Sequence, residues 1–180
     1  MKIAISGTSD GFGNYASLMW GKTHDIIKID LREEIDTILS QVASCDVFLN
    51  HAYSKDVKQS LVFFELFEKW KDLEKTIINF GTSAVHEDGC FSPLYVSNKK
   101  HLINLSQTLN IANPYKKVRV INFNPSTMEN NKMFGANFNK LKFEDLFKIL
   151  NFIIELDHTI EISDVTIKLT TRQEKNKTMI

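Results

Sequence analysis

Along the chain, short runs of consecutive apolar residues alternate with longer stretches in which apolar residues recur every three or four positions. The short runs predict strands at Lys2 to Ser6, Asp25 to Asp30, Asp46 to Asn50, Thr76 to Phe80, Val118 to Phe123 and Val165 to Leu169. The periodic stretches predict helices over 13–22, 33–44, 57–74, 94–110 and 143–156. This alternation is the pattern of an α/β protein: a doubly wound, mainly parallel sheet of about six strands with helices on both faces. Right-handed crossovers bring the carboxyl ends of the strands to one edge of the sheet, where ligands bind in such folds.

Composition narrows the classes. With 180 residues, 43% of them hydrophobic, the chain holds one substantial core, and a single domain over 1–180 is expected. The formal net charge of +0 argues against a broad nucleic-acid or anionic-membrane footprint and for a small-molecule partner. Cys45 and Cys90 form no Cys-x-x-Cys pair, and no histidine cluster suggests a metal site. A reduced, metal-free cytoplasmic protein is expected. Met1-Lys2 leads straight into the first strand, without a signal-like apolar segment, and no apolar run approaches the roughly 20 residues of a membrane helix.

Gly7, Gly11 and Gly13 stand between the first predicted strand and the first predicted helix. Glycine permits a tight turn and close backbone approach, while the helix N-terminus offers free N–H groups to a pyrophosphate. The turn is therefore read as a nucleotide site formed by Gly7, Ser9, Asp10, Gly11, Phe12 and Gly13, with an ordinary strand-to-helix turn as the alternative. Asp30 ends the second strand, seventeen residues after Gly13. A carboxylate there accepts hydrogen bonds from the adenosine ribose and repels a 2′-phosphate, favouring NAD over NADP; Arg32 weighs the other way.

Tyr95 and Lys99, four apart in a predicted helix, face the same way, so an ammonium beside the phenol is expected to lower its pKa. Thr82 lies thirteen residues before Tyr95. The run Tyr95-Val-Ser-Asn-Lys99, the glycine turn and the strand end Ile77-Ile-Asn-Phe-Gly-Thr-Ser83 together resemble the short-chain dehydrogenase/reductase family, whose fold is Rossmann-like. The stretches Asp46 to Tyr53, Val118 to Ser126 and Asp164 to Leu169 resemble further strands of that family. The glycine spacing is similar to its single-domain reductases rather than to the sugar-nucleotide epimerases.

The resemblance implies an NAD(P)-dependent oxidoreductase that moves hydride between nicotinamide and a small carbonyl or alcohol. In it Tyr95 exchanges the proton, Lys99 supports the phenolate and the nicotinamide ribose, and Thr82 holds the substrate oxygen. Gln59 falls where the family's catalytic asparagine is sought. Asn50 and Ala52 then border the cofactor, Pro125, Ser126 and Thr127 the nicotinamide side, and helices 57–74 and 94–110 pair copies into a homodimer or homotetramer.

The chain also departs from the family. One strand and its helix after Asp30 are missing, so the adenine pocket should be more open, and Asp30-Leu31 matches an adenine-contacting position as well as the ribose acid. Tyr53 and Ser126 stand where the family has glycines, and the short Met128 to Leu141 segment favours small substrates. His51 reads as a packed or solvated strand-end residue, and His86 and His101 have no assigned partner. Two other readings stay open: a dinucleotide-binding sensor or interaction protein of the same fold, and a sugar-nucleotide epimerase or reductase. The spacing from Thr82 to Tyr95 counts against the latter.

Overall fold

A computed structural model describes residues 1–86, 92–129 and 140–169. Six strands alternate with helices: β1 (Lys2–Ser6), α1 (Gly11–Trp20), β2 (Asp25–Ile29), α2 (Ile35–Val42), β3 (Val47–Asn50), α3 (Lys58–Trp70), β4 (Thr76–Phe80), α4 (Pro93–Ala112), β5 (Arg119–Pro125), α5 (Phe143–Glu155) and β6 (Asp164–Ile167). All the strands pair in parallel, in the order β2-β1-β3-β4-β5-β6. The expected architecture is therefore present. β2 forms one edge of the sheet. A 3₁₀ turn at Ser83–His86, which apolar periodicity does not signal, follows β4. Cys90, the Arg172 to Lys177 stretch and most of Met128 to Leu141 lie outside the described residues.

Successive residues of the central strands point to opposite faces and feed two separate cores. Phe48, Ile77 and Val120 pack with Ile38 of α2, Phe63, Phe67 and Trp70 of α3, and Leu102 of α4. Their neighbours Leu49, Ile78 and Ile121 pack on the other face with Phe12 and Trp20 of α1 and Leu146 and Leu150 of α5. Each face buries several aromatic rings, and burying one large apolar side chain contributes roughly 1.5–3 kcal/mol. Buried Arg119 of β5 ties the last helix to the sheet by donating to the Ile153 and Leu156 carbonyls at the C-terminus of α5, at 3.0 and 3.1 Å.

Four polar residues interrupt the apolar strands at one level. Asn50, Asn79, Asn122 and Asp164 are consecutive register partners across β3, β4, β5 and β6. Asn50 Nδ2 donates to Asn79 Oδ1 at 3.0 Å, and Asn122 Nδ2 donates to Asp164 Oδ1 at 3.1 Å. Each asparagine stands two residues after Phe48, Ile77 or Val120 and so shares the face covered by α3 and α4. Toward α3, Asn50 Nδ2 donates to the Gln59 carbonyl at 3.1 Å, and Gln59 Nε2 returns a bond to the Asn50 carbonyl at 2.8 Å.

Candidate functional site

The chain leaves β1, returns through β2 on one side and then crosses to β3 on the other. At the carboxyl ends of β1 and β3, where the order reverses, a cleft of about 1050 Å³ opens. Such a switch point is the usual ligand site of an open α/β sheet. The cleft is lined by the glycine turn from Gly7 to Asp10, by residues 28–32 at the end of β2, and by residues 51–56 with Lys58 after β3. Ser6 joins its two sides: its Oγ accepts the Ala52 N–H at 3.0 Å.

The glycine turn needs its glycines. Gly7 and Gly11 have φ of +75° and +59°, which other residues adopt only with strain. A Cβ on Gly7 would stand 2.9 Å from the Ala52 Cα, and one on Gly13 would collide with the Gly7 carbonyl oxygen. Asp10, the N-cap of α1, makes no side-chain cap bond, and the opening amides of α1 form the kind of site that binds anions. Phe12 plays a different part: its side chain is fully buried, stacking on Phe80 at 5.4 Å, so only its backbone is available to a ligand.

Asp30 and Leu31 both line the cleft, Leu31 with its side chain in the core. Arg32 Nε donates to both Asp30 carboxylate oxygens at 2.9 Å, and its amide donates to Oδ1 at 2.9 Å. These bonds hold the exposed carboxyl down to about 2. Arg32 therefore offsets the charge on which the preference for NAD over NADP rests, and Lys28, Lys55 and Lys58 line the same cleft. Sequence reasoning passed over these lysines. The one visible signal was Lys28, the lone charge inside Ile26-Ile27-Lys28-Ile29.

The second group of residues gathers after β4. A Cβ on Gly81 would collide with Asn124 Oδ1 at the end of β5, so glycine lets the chain turn here and deliver Thr82. Pro93 occupies the first turn of α4, where its missing N–H costs nothing, and places Tyr95 in that turn with Lys99 one turn on. Tyr95 is hydrogen-bonded to the Thr82 side chain. The Thr82 Oγ1 also accepts the Ala84 N–H at 3.2 Å. Lys99, only 2% exposed, donates from Nζ to the Phe80 carbonyl at 2.6 Å and to Gln59 Oε1 at 3.1 Å. Thr82, Tyr95, Lys99 and Gln59, separated by up to forty positions, are thus brought together.

The electrostatics correct one expectation. The Tyr95 phenol is raised above its ordinary value, chiefly by burial; the Thr82 hydrogen bond opposes the shift and Tyr53 adds to it. Lys99 is not among the causes of this shift; its Nζ bonds to the Phe80 carbonyl and lies 5.9 Å from the Tyr95 ring centroid. Burial pushes the Lys99 ammonium down to about 7.

Some predicted residues stand apart. Asn50 is fully buried in the amide row rather than in the cleft lining, whereas Ala52 lines the cleft. Pro125 pairs with Ile167 of β6, and the Thr127 carbonyl accepts the Leu141 N–H at 2.9 Å; neither lines the cleft. His51 does line it, but as a packed residue: its ring meets Phe80 edge-on at 4.6 Å, and burial pushes its pKa down to about 4.

Comparison with solved structures places the fold. The closed form of serine dehydrogenase complexed with NADP+ superposes with a TM-score of 0.76 at 14% identity, covering 100% of this chain and 99% of that one. 3-Ketoacyl-(acyl-carrier-protein) reductase from Brucella melitensis complexed with NADH gives 0.75 at 16% identity, covering 92% and 96%. A short-chain dehydrogenase/reductase from Vibrio parahaemolyticus gives 0.70 at 16% identity, covering 92% and 98%. No family model and no curated protein matches the sequence. This chain has the fold of the short-chain dehydrogenase/reductase structures. Among the described residues no helix is long and apolar enough to cross a membrane, and no group of side chains is set to hold a metal ion.

Proposed function

We propose, on the premise that the chain shares the fold of these dehydrogenases, that it is an NAD(P)-dependent oxidoreductase acting on a small carbonyl/alcohol pair. The observation that carries the reading is the meeting of Thr82, Tyr95, Lys99 and Gln59 at the same sheet edge as the glycine-turn cleft. The nucleotide would lie with its pyrophosphate against Gly7 to Phe12 and the start of α1, and its adenosine toward Asp30, Leu31 and Arg32. Bound nicotinamide would supply or accept the hydride.

The chain's own residues handle the proton. Thr82 holds the substrate oxygen beside the Tyr95 hydroxyl, and Tyr95 gives its proton to that oxygen in reduction or takes it in oxidation. On this reading Lys99 steadies the nicotinamide ribose rather than the phenolate, and Gln59 fixes Lys99 through its Oε1 while being held itself by Asn50. Ala52, Pro125 and Thr127 complete the reading on the cofactor side. Pairing of two copies through α3 and α4, whose outer faces expose Leu61, Phe64 and Leu94, belongs to it too, with light scattering as its measurement.

A second reading, a dinucleotide-binding sensor, is favoured by the raised Tyr95 phenol. Titration with NADH and NADPH, followed by nicotinamide fluorescence and thermal stabilisation, tests the common premise. A carbonyl screen then separates the two readings: turnover supports the enzyme, and saturable binding without turnover supports the sensor. Absence of binding by well-folded protein refutes both.

A further inference from the structure

Tyr53 stands where the cleft meets the phenol. It lines the cleft beside Ala52 and Ser54, its side chain is 39% exposed, and its ring meets the Tyr95 ring at 65° with centroids 5.0 Å apart. Lys99 Nζ lies 5.9 Å from each of the two ring centroids. Tyr53 thus lines the glycine-turn cleft and at the same time packs its ring against the Tyr95 phenol.

The backbone that follows Tyr53 is clamped. Asn98 Nδ2, on α4 between Tyr95 and Lys99 in sequence, faces the carbonyls of Ser54, Lys55 and Asp56, with its shortest bond to Lys55 at 3.1 Å. Ser54 Oγ donates to the Asp56 carbonyl at 3.0 Å and accepts the Gln59 N–H at 3.3 Å. With the segment held in this way, rotation about the Tyr53 side-chain bonds is the motion left to the ring. Such rotation breaks the edge-to-face contact with Tyr95 and the approach to the Lys99 ammonium.

We propose that Tyr53 is a gate between the nucleotide cleft and Tyr95. With its ring as in this structure, the cleft takes the adenosine and phosphate part of a nucleotide, and the nicotinamide end reaches the phenol only when the ring turns aside. The inference rests on the dinucleotide reading above. A ring shut about nine-tenths of the time weakens the affinity of a ligand that needs it open about tenfold, and leaves a ligand confined to the cleft unaffected.

The experiment compares ADP with NADH by titration calorimetry on the wild type, Tyr53→Ala, Tyr53→Ser and Tyr53→Phe, each checked for its thermal midpoint. ADP is expected to bind all four equally. NADH is expected to bind about tenfold tighter to the two opened variants and as in the wild type to Tyr53→Phe, which keeps the ring. Unchanged or weaker NADH affinity in both opened variants, with ADP unchanged, overturns the gate and leaves the dinucleotide site standing. ADP affinity that moves in parallel with NADH makes Tyr53 part of the adenosine site and also overturns the gate. Failure of both ligands to bind any of the proteins overturns the gate and the dinucleotide reading together.

Discussion

Lys99 on α4 donates to the Phe80 carbonyl at the end of β4 at 2.6 Å, and among the described residues no carboxylate pairs with it. A main-chain and an amide oxygen, with the Tyr53 and Tyr95 rings 5.9 Å away, hold a charge that burial disfavours.

This makes stability depend on pH in a definite direction. The Lys99 ammonium titrates near 7 in the folded chain, against 10.5 for the free side chain. Between these values the unfolded chain binds the extra proton, so the burial penalty is fully present below about 7 and is relieved as pH rises. Relative to Lys99→Met, the wild type should gain about 1.4 kcal/mol per pH unit across this window. Urea unfolding of both proteins at pH 7, 8 and 9 measures the slope. Parallel curves would mean that Lys99 keeps its ordinary value.

Tyr95→Phe removes the hydroxyl that meets Thr82 and leaves the ring against Tyr53. Turnover should fall about 10²- to 10⁴-fold, the usual worth of a positioned acid/base. NADH affinity should stay within about twofold, since the glycine turn and Asp30 are untouched. Steady-state rates and a fluorescence titration check the two halves separately, and turnover that survives would remove Tyr95 from the chemistry.

Arg32→Ala leaves the Asp30 carboxylate in the cleft without its partner. NADPH affinity should drop about tenfold or more, while NADH affinity changes by less than about threefold. Asp30→Ala should shift the ratio the other way, toward NADPH. Both ratios are read from paired titrations at fixed ionic strength, because exposed charges are screened.

Gly13→Ala drives a methyl into the Gly7 carbonyl, so the first turn of α1 must move away from the glycine turn. A loss of about 1–3 kcal/mol in stability is expected, with a larger loss of dinucleotide affinity than of fold. Chemical denaturation and NADH titration separate the two effects. Full affinity in a folded variant would place the phosphates elsewhere.

The strands were legible because each is a short apolar run bounded by polar residues, and the Tyr95–Lys99 pair because helical spacing is a local property. Thr82 and Gln59 came from resemblance and met that pair through the parallel crossovers. What stayed hidden was how side chains share neighbours across distant segments. Position alone did not reveal that Arg32 would take up the Asp30 carboxylate, or that Lys99 would bond to the Phe80 carbonyl. Phe12 looked like part of a ligand turn because its backbone is one; the direction of its ring depended on Phe80 and Phe143, far along the chain.

The row from Asn50 through Asn79 and Asn122 to Asp164 also bears on how the sheet assembles. A parallel strand that pairs one residue out of step turns every side chain to the opposite face. Here such a slip would thrust an amide into the apolar layer beneath α1 and α5, and separate it from Gln59 or its neighbour in the row. Burying an unpaired amide costs about 1–3 kcal/mol, so the two bonded pairs, Asn50–Asn79 and Asn122–Asp164, disfavour a slipped register. The observed alignment joins these pairs, and through Asn50 it holds the Gln59 that meets Lys99.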